Sequence, residues 1–426
     1  MTSRIQEVSF RSLTKAQNFS RDTRHGLHSY PARLLPNIPS YFFNSGILDR
    51  PGIILDPFAG SGTVLLESAL AGHEVLGAEI NPLATLITEV KLSKLNAAEL
   101  REANSFLKRI IRDEPSGELP ELPNIDHWYY KHVQRQLQCI FEAIRKISVR
   151  RVRRFFLLSF STLVRNVSLA DPRLSVPVRL KEEQYSEGHV FRASTAKRLR
   201  RLKRINVRRV FEEIVEGNIA RIEASKLLKA NFHGIANSVD SIVTFCDKKN
   251  LLGKVDAVIT SPPYCGAQKY IRATSLQLYW LELVNQKKIT RLHSASLGRE
   301  HFPVREYETL HKTGIDEADQ LLESIHQEYP LRAHIAAKFL TEMSQALFNI
   351  SQCLKADGHL VLVIGNNTIR GREFPTSEYV AALAGMQGFK VESHFIDDIR
   401  SRGLMTARNK TASIINAEHV FVFRRK

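Results

Sequence analysis

The sequence is poor in cysteine and has no long apolar runs. Its 426 residues contain four cysteines, and none of them belongs to a Cys-x-x-Cys pair. This spacing argues against a zinc knuckle or a disulfide framework and favours a reducing, intracellular compartment. No apolar run reaches the roughly 18 residues that cross a bilayer, and residues 1–24 lack an apolar signal segment. We therefore expect a cytoplasmic protein, nucleoid-associated in a prokaryote, that has no membrane partner.

Two common functional motifs are also missing. The fifteen histidines form no His-Glu-x-x-His pattern and no other metal-ligand spacing, so no bound metal is predicted. The sequence G-x-x-x-x-G-K-[ST] is absent as well, which argues against a nucleotide-triphosphate site of the P-loop kind.

Acidic residues are few relative to basic ones. The chain has 61 Lys and Arg against 44 Asp and Glu, a net charge of +17. Residues 145–209 alone contain 19 basic and 4 acidic residues, a net charge of +15, so the excess is concentrated in one segment. Such a segment indicates a polyanionic partner, usually nucleic acid. Its densest run is predicted to bind the phosphate backbone. The residues of that run are Arg198, Arg200, Arg201, Lys203 and Arg204.

Short apolar runs that end in polar, glycine-rich or proline-rich residues indicate the strands of an open α/β sheet. We expect strands at residues 53–55, 74–78, 241–245, 255–259 and 359–364, followed by two last strands at 389–395 and 419–423. Asn81 and Pro82 predict a helix start, with Asn as N-cap and Pro in the first turn. Between the predicted strand at 74–78 and the next one at 241–245, residues 96–235 look mainly helical and contain the basic segment.

A glycine-rich turn follows the first of the central strands. Residues 56–63 read Asp-Pro-Phe-Ala-Gly-Ser-Gly-Thr and lead from a strand into a helix, where open α/β sheets bind ligands. The glycines permit close approach of a ligand, and the helix start offers free N–H groups. Glu79 ends the next strand, and a carboxylate there can accept hydrogen bonds from both hydroxyls of a ribose. These residues predict a bound nucleoside, which both NAD and S-adenosylmethionine contain.

A second motif, Ser261-Pro262-Pro263-Tyr264, follows the predicted strand 255–259. The two prolines fix φ and remove two N–H donors, which makes the loop stiff and leaves its carbonyls free as acceptors. The Ser261 hydroxyl and the Pro262 carbonyl can accept hydrogen bonds from an exocyclic amine of cytosine or adenine, and so orient its lone pair. Tyr264 can stack on the face of a base that has left the duplex.

Together, the two motifs resemble those of the amino-methyltransferase family of DNA methylases. The resemblance implies a Rossmann-like class I methyltransferase sheet that is mostly parallel and has an antiparallel last strand. It also implies S-adenosyl-L-methionine as the cofactor and DNA as the substrate. A cognate restriction endonuclease is a possible partner of such an enzyme. Ser before Pro-Pro-Tyr is commonest in the cytosine-N4 members. The resemblance also names the cofactor-binding residues. They are Asp56, Pro57, Phe58, Ala59, Gly60, Gly62, Thr63, Glu79, Ile80, Asn81 and Asp247, with Asp247 placed at the end of the strand 241–245 beside the cofactor adenine.

The same resemblance suggests a division of the chain. Residues 1–24 would be a tail, residues 25–95 and 236–426 the catalytic domain, and residues 96–235 an inserted DNA-binding and target-recognition region, a separate subdomain. Residues 25–39 and 270–283 resemble the segments that flank the two motifs, and residues 287–328 would be a substrate-facing loop. Adenine-N6 methylation of DNA and guanine-N2 methylation of RNA stay open as alternatives. Cys265 is separated from Pro263 by Tyr264, so a Pro-Cys nucleophile is not predicted.

Overall fold

A computed structural model describes the arrangement of residues 5–14, 23–31, 33–48, 50–111, 113–226, 228, 230–266, 269–398 and 417–426. The strands of this structure are β1 Ile5–Val8, β2 Ile53–Asp56, β3 Glu74–Ala78, β4 Phe232–Ala236, β5 Val255–Thr260, β6 Leu354–Ile364, β7 Asn367–Ile369, β8 Arg372–Phe374, β9 Phe389–Asp398 and β10 Ala417–Arg425. Eight of them form a central sheet in the order β1-β9-β10-β6-β5-β2-β3-β4, and a separate hairpin pairs β7 with β8.

All neighbouring strands of this sheet run parallel except β10, which is antiparallel to both β6 and β9. The predicted α/β class, with a mostly parallel sheet, an antiparallel last strand and a large helical insert, is confirmed. From β2 the chain builds outward through β3 and β4, and then returns to β5 on the other side of β2. The carboxyl ends of β2 and β5 therefore form a topological switch point, where such sheets bind their ligands.

The described residues form eighteen α-helices. They are α1 Phe10–Leu13, α2 Asn37–Phe43, α3 Thr63–Ala71, α4 Pro82–Leu92, α5 Ala97–Ile110, α6 Ile125–Trp128, α7 Lys131–Arg145, α8 Arg150–Asn166, α9 Val190–Lys203, α10 Val207–Glu223, α11 Ile242–Lys248, α12 Tyr270–Ala273, α13 Ser275–Trp280, α14 Gln286–Ser294, α15 Val304–Tyr307, α16 Asp316–His326, α17 Pro330–Cys353 and α18 Thr376–Met386. None of the helices in the described ranges is both long and apolar enough to span a membrane.

Side chains alternate along each strand, so they point to both faces of the sheet, and both faces are buried. Ile54 and Ile259 point to the face that packs against α2, where Phe42 is fully buried. Leu55 and Val258 point to the opposite face, which α11, α17 and α18 cover. Strands covered on both faces read as nearly continuous apolar runs, which explains why the central strands were recognisable in the sequence.

The strand predicted at residues 241–245 is wrong. The strand in this place is β4, and the apolar run belongs to α11, which a short 3-10 turn precedes. Ser238 and Ser241 form a reciprocal capping box, which favours a helical start. Ile242 and Cys246 are the buried positions and lie four residues apart, so the spacing is helical rather than alternating.

The N-terminal tail predicted at residues 1–24 is corrected in the part that the structure describes. Strand β1 pairs in parallel with β9 at the edge of the sheet. Phe10 in α1 is fully buried and packs edge-on against Tyr41 and Phe395. The apolar side chain and the strand pairing join residues 5–14 to the main fold. Residues 1–4 and 15–22 lie outside the described residues.

Residues 97–223 are mainly helical, as predicted, but they do not form a core of their own. Leu137 in α7 and Phe156 in α8 belong to the same buried cluster as Ile87 in α4 and Trp280 in α13. The predicted boundary at residue 235 cuts through β4, so the insert ends before residue 232. The loop predicted at residues 287–328 consists largely of helices α14, α15 and α16.

Candidate active site

The two motifs meet at the switch point of the sheet. Asp56 ends β2 and Thr260 ends the neighbouring β5, and the Thr260 hydroxyl donates a 2.7 Å hydrogen bond to Asp56 Oδ1. The Phe58 N–H donates to the same oxygen at 3.1 Å. Asp56 is buried, and burial raises its pKa to about 7 despite these two donors. Thr260, which sequence reasoning missed, thus connects the glycine-rich turn to the Ser-Pro-Pro-Tyr loop.

The backbone of the glycine-rich turn adopts conformations that other residues rarely reach. Gly60 has φ of +50° and Gly62 has φ of +71°, in the left-handed region. A Cβ on Gly62 would lie 2.6 Å from the side chain of Thr88 in α4, whose hydroxyl donates to the Gly60 carbonyl at 3.1 Å. The buried amine of Lys91 donates to the Ser61 carbonyl at 2.7 Å. Helix α4 therefore holds the glycine-rich turn through Thr88 and Lys91, and α3 begins directly after the turn.

Glu79 lies against this turn from the end of β3. Its Oε2 accepts a 2.7 Å hydrogen bond from the Gly60 N–H, and its Oε1 accepts one of 2.7 Å from the Asn81 N–H. Burial raises the pKa of Glu79 to about 7, and the backbone donors act in the opposite direction. A carboxylate oxygen can accept more than one hydrogen bond, so each retains acceptor capacity. The pair of oxygens can therefore still accept from two hydroxyl groups.

The Asn81 side chain is used within the protein. It caps α4 through the Leu83 N–H, as predicted, and donates at 3.0 Å to both the Tyr30 hydroxyl and the Thr274 hydroxyl. Asn81 is fully buried. The Tyr30 and Tyr270 rings are nearly parallel, with centroids 6.3 Å apart. Asn81 thus braces the segments that flank the two motifs, while neighbouring Ile80 is half-buried.

The Ser-Pro-Pro-Tyr loop is partly accessible. Pro262 is buried, whereas Ser261, Pro263 and Tyr264 are half-buried. The Tyr264 hydroxyl donates a 2.8 Å hydrogen bond to Oε1 of Glu418, the second residue of β10. Burial and the Glu418 carboxylate raise the pKa of Tyr264 well above its usual value, and a hydrogen bond with Ser261 acts in the opposite direction. The phenol is therefore neutral, and its ring is anchored at the hydroxyl end.

Residues beyond the motif hold this loop in place. The Asn367 side-chain amide donates to the Cys265 carbonyl at 2.6 Å, and Gly298 allows close packing against the Tyr264 carbonyl, which would lie 3.0 Å from an added Cβ. Burial raises the pKa of the Cys265 thiol to about 12, so it is not a thiolate nucleophile. Asn367 and Glu418 carried no motif that sequence reasoning could use, because only the folded sheet brings them beside the loop.

Asp247 does not lie where the strand prediction put it. It is exposed in the last turn of α11, two helical turns beyond the end of β4. The polar residues that follow β4 are Asn237, Ser238 and Asp240, and β4 lies next to the strand that carries Glu79. Asp247 is therefore removed from the set of cofactor-binding residues, because a helix carries it away from the carboxyl edge.

The basic run occupies α9, and its five residues divide into two groups. Arg198 is half-buried and donates to the carbonyls of Asn166 and Ser168 at 3.1 and 3.3 Å, so it attaches α9 to the end of α8. This corrects its assignment to the DNA surface. The other four are exposed and, within the described parts of the chain, have no carboxylate within 4.0 Å. They are Arg200, Arg201, Lys203 and Arg204.

Comparisons with known proteins point to one class, the type II methyltransferases. M.MvaI of Kocuria varians is 24% identical over 391 residues, which cover 85% of this chain and 81% of that protein. M.MjaII of Methanocaldococcus jannaschii is 39% identical over 110 residues, 23% of this chain and 20% of the relative. M.BsoBI of Geobacillus stearothermophilus is 26% identical over 270 residues, and the chain spans about half of its length, 51%.

No family model matches the chain. Similarity to solved structures is weak. The rRNA methyltransferase aviRa from Streptomyces viridochromogenes covers 98% of this chain and 96% of its own, at 12% identity and a TM-score of 0.33, too low to support an argument about fold or function.

Proposed function

We propose that this protein is a DNA methyltransferase that transfers a methyl group to the exocyclic N4 amine of cytosine. The observation that carries the proposal is the hydrogen bond between Thr260 and Asp56, which joins the glycine-rich turn to the Ser-Pro-Pro-Tyr loop at adjacent strand ends. The similarity to type II methyltransferases supports the same reaction class and DNA as the substrate.

S-adenosyl-L-methionine is the cofactor. The residues present suit it, because Glu79 retains acceptor capacity for two ribose hydroxyls and α3 begins at the glycine-rich turn without a side-chain cap on its first N–H groups. When bound, the cofactor supplies a methyl group carried on a positively charged sulfur. We propose that Asp240, in the 3-10 turn that follows β4, takes the adenine-side role that the resemblance gave to Asp247.

The Ser-Pro-Pro-Tyr loop is proposed to hold the target amine. The Ser261 hydroxyl and the Pro262 carbonyl accept hydrogen bonds from its two N–H groups, which directs the nitrogen lone pair toward the cofactor side. Tyr264 stacks on the flipped base, and its hydrogen bond to Glu418 limits ring movement. The neutral amine needs no strong base before it attacks, in agreement with a loop that has a hydroxyl rather than a carboxylate at its first position.

Nucleoside mass spectrometry tests the proposal. The full chain is incubated with cofactor labelled in the methyl group and, in separate reactions, with modification-free duplex DNA or with RNA, and each nucleic acid is digested to nucleosides. We expect labelled N4-methyldeoxycytidine, and none with Ser261→Ala. N6-methyldeoxyadenosine would contradict the cytosine assignment and leave the amino-methyltransferase class standing. Label found only in RNA, or only on carbon 5 of cytosine, would contradict the class itself.

A further inference from the structure

Helix α9 carries one continuous exposed stripe whose two halves differ in chemistry. The stripe positions recur every three or four residues, as expected for one side of a helix. They are Val190, Ala193, Ser194, Lys197, Arg200, Arg201 and Arg204, the last being the C-cap. Thr195 and Leu202 are buried on the opposite side. The first half of the stripe is small and uncharged, whereas the second half is entirely basic.

Neither half is explained by contacts within the protein. Val190 is 77% exposed at the first helical position, the highest exposed fraction among the large apolar side chains that the structure describes. The basic half has no carboxylate within 4.0 Å among the described residues, whereas nearby Arg192, Arg208 and Arg209 lie beside Glu182, Asp113 and Glu213. Carboxylates thus neutralise these three arginines, whereas the basic side chains of the stripe have no carboxylate beside them among the described residues.

The start of α9 is held rigidly. The Asp171 carboxylate accepts hydrogen bonds from two nitrogens of Arg173, at 2.8 and 2.6 Å. The Arg173 guanidinium in turn lies over the Phe191 ring at 4.3 Å and over the Tyr185 ring at 5.3 Å. His189 caps the helix through the Phe191 N–H. An exposed helix start with this much support is preorganised for contact with a partner.

We propose that α9 enters the major groove of double-stranded DNA, with its uncharged half against base edges and its basic half against phosphates. The proposal rests on the DNA substrate proposed above. At 1.5 Å per residue, the stripe from Val190 to Arg204 is about 21 Å long, whereas the major groove is about 12 Å wide. The first half therefore fits within the groove while the arginines reach its rim. Val190 and Ala193 suit thymine methyl groups, and Ser194 can donate to or accept from a base edge.

Selection from a random-sequence duplex library separates the two halves. Purified full-length protein is used to enrich bound duplexes, which are sequenced, and affinities are measured over a range of salt concentrations. Val190→Ser and Ser194→Ala are expected to change the enriched sequence at one or two neighbouring base pairs, with roughly tenfold discrimination lost there. Their affinity for mixed-sequence duplex should stay within about twofold of wild type.

Arg200→Gln combined with Arg201→Gln should do the reverse. The enriched sequence stays the same, affinity falls for all sequences, and the slope of log affinity against log salt decreases by roughly two units. The matched control is Lys390→Gln with Lys426→Gln, which removes the same charge at the amino edge of the sheet. It should leave the slope nearly unchanged.

Three results would overturn the proposal: an enriched sequence unaffected by Val190→Ser and Ser194→Ala, equal salt slopes in the arginine and lysine pairs, or equal competition by duplex RNA of the same sequence. Sequence-selective binding without any methylated nucleoside would support the role of α9 while contradicting the proposed activity. The two hypotheses therefore fail separately.

Discussion

Asp56 shows how one buried carboxyl group organises the site. Its Oδ1 accepts hydrogen bonds from the turn that Asp56 begins and from the strand next to it, so both loops are held by the same oxygen. Burial favours the neutral form, which accounts for the raised pKa of about 7. The carboxyl group therefore titrates near neutral pH rather than near pH 4.

Asp56→Asn should alter how stability depends on pH. Between about pH 4 and pH 7 folded Asp56 holds a proton that the unfolded chain has released, so its contribution to stability is greatest in acid and declines as the pH rises to 7. An amide does not titrate. Relative to wild type, the variant should become more stable between pH 5 and pH 8, by on the order of 2 kcal/mol. Denaturant unfolding at the two pH values measures this, and a constant difference would contradict it.

Substitutions in the Ser-Pro-Pro-Tyr loop should separate chemistry from cofactor binding. Ser261→Ala and Tyr264→Ala are expected to lower kcat by about a hundredfold or more, because the amine is no longer oriented or the base no longer stacked. The cofactor Kd, measured by calorimetry, should change by less than about threefold.

Tyr264→Phe is the matched control for the ring. It keeps the stacking surface and loses only the hydroxyl that donates to Glu418. Its kcat should lie between wild type and Tyr264→Ala. A Phe variant as inactive as the Ala variant would show that the hydroxyl, rather than the ring, is the functional group.

At the scale of elements, the glycine-rich turn depends on α4 as much as on its own sequence. Thr88 fills the space beside Gly62, and Lys91 binds the carbonyl between the two positive-φ glycines. Neither residue belongs to the motif, and both lie on one face of α4, because positions 88 and 91 are three residues apart.

Gly62→Ala should therefore be more harmful than backbone conformation alone predicts. Gly253 has φ of +67° and open space around it, so Gly253→Ala supplies the backbone cost of about 1 kcal/mol without a clash. Gly62→Ala adds the 2.6 Å contact with Thr88. We expect Gly62→Ala to lose more unfolding free energy than Gly253→Ala and to have a higher cofactor Kd. Equal effects on both quantities would mean that the turn relaxes away from α4.

The misread strand at residues 241–245 illustrates a limit of local pattern reading. A five-residue apolar run is compatible with a buried strand and with a short buried helix, and flanking residues decide between them. Here Ser238 and Ser241 cap a helix, and the actual strand contains Gly234 at φ of +118°, which weakened its signal. The error mattered for function, because it placed Asp247 at the carboxyl edge of the sheet, whereas Asp247 lies in the last turn of α11.

Across the whole molecule, ion pairs with carboxylates decide which basic side chains keep an uncompensated positive charge. In sequence, residues 150–154 and 208–209 look as basic as the run in α9. In the structure Arg151 and Arg154 lie beside Glu99 and Glu89, at 2.6 Å each. Among the described residues of the insert, exposed basic side chains without a carboxylate within 4.0 Å are therefore densest in residues 197–204, although Lys146 and Arg150 are also exposed and have no such partner.

The N-terminal residues should contribute to global stability. Phe10→Ala removes a fully buried ring from the cluster with Phe42 and Phe395, at an expected cost of about 3 to 5 kcal/mol in unfolding free energy. Leu13→Ala, three residues away and 53% exposed, should cost less than about 0.5 kcal/mol. Denaturant titration of both variants measures the difference, and equal stabilities would place Phe10 outside the core.

The sequence by itself determined the α/β class, the central strands and the two motifs. Those features depend on local composition: continuous apolar runs, glycine at positive φ, and prolines that stiffen a loop. Only the tertiary structure decided that Thr260 joins the motifs, that Glu418 anchors Tyr264, that Arg198 bonds to the end of α8 and that Asp247 lies away from the site. Each of these depends on which distant segments the sheet brings into contact, and no local pattern encodes such contacts.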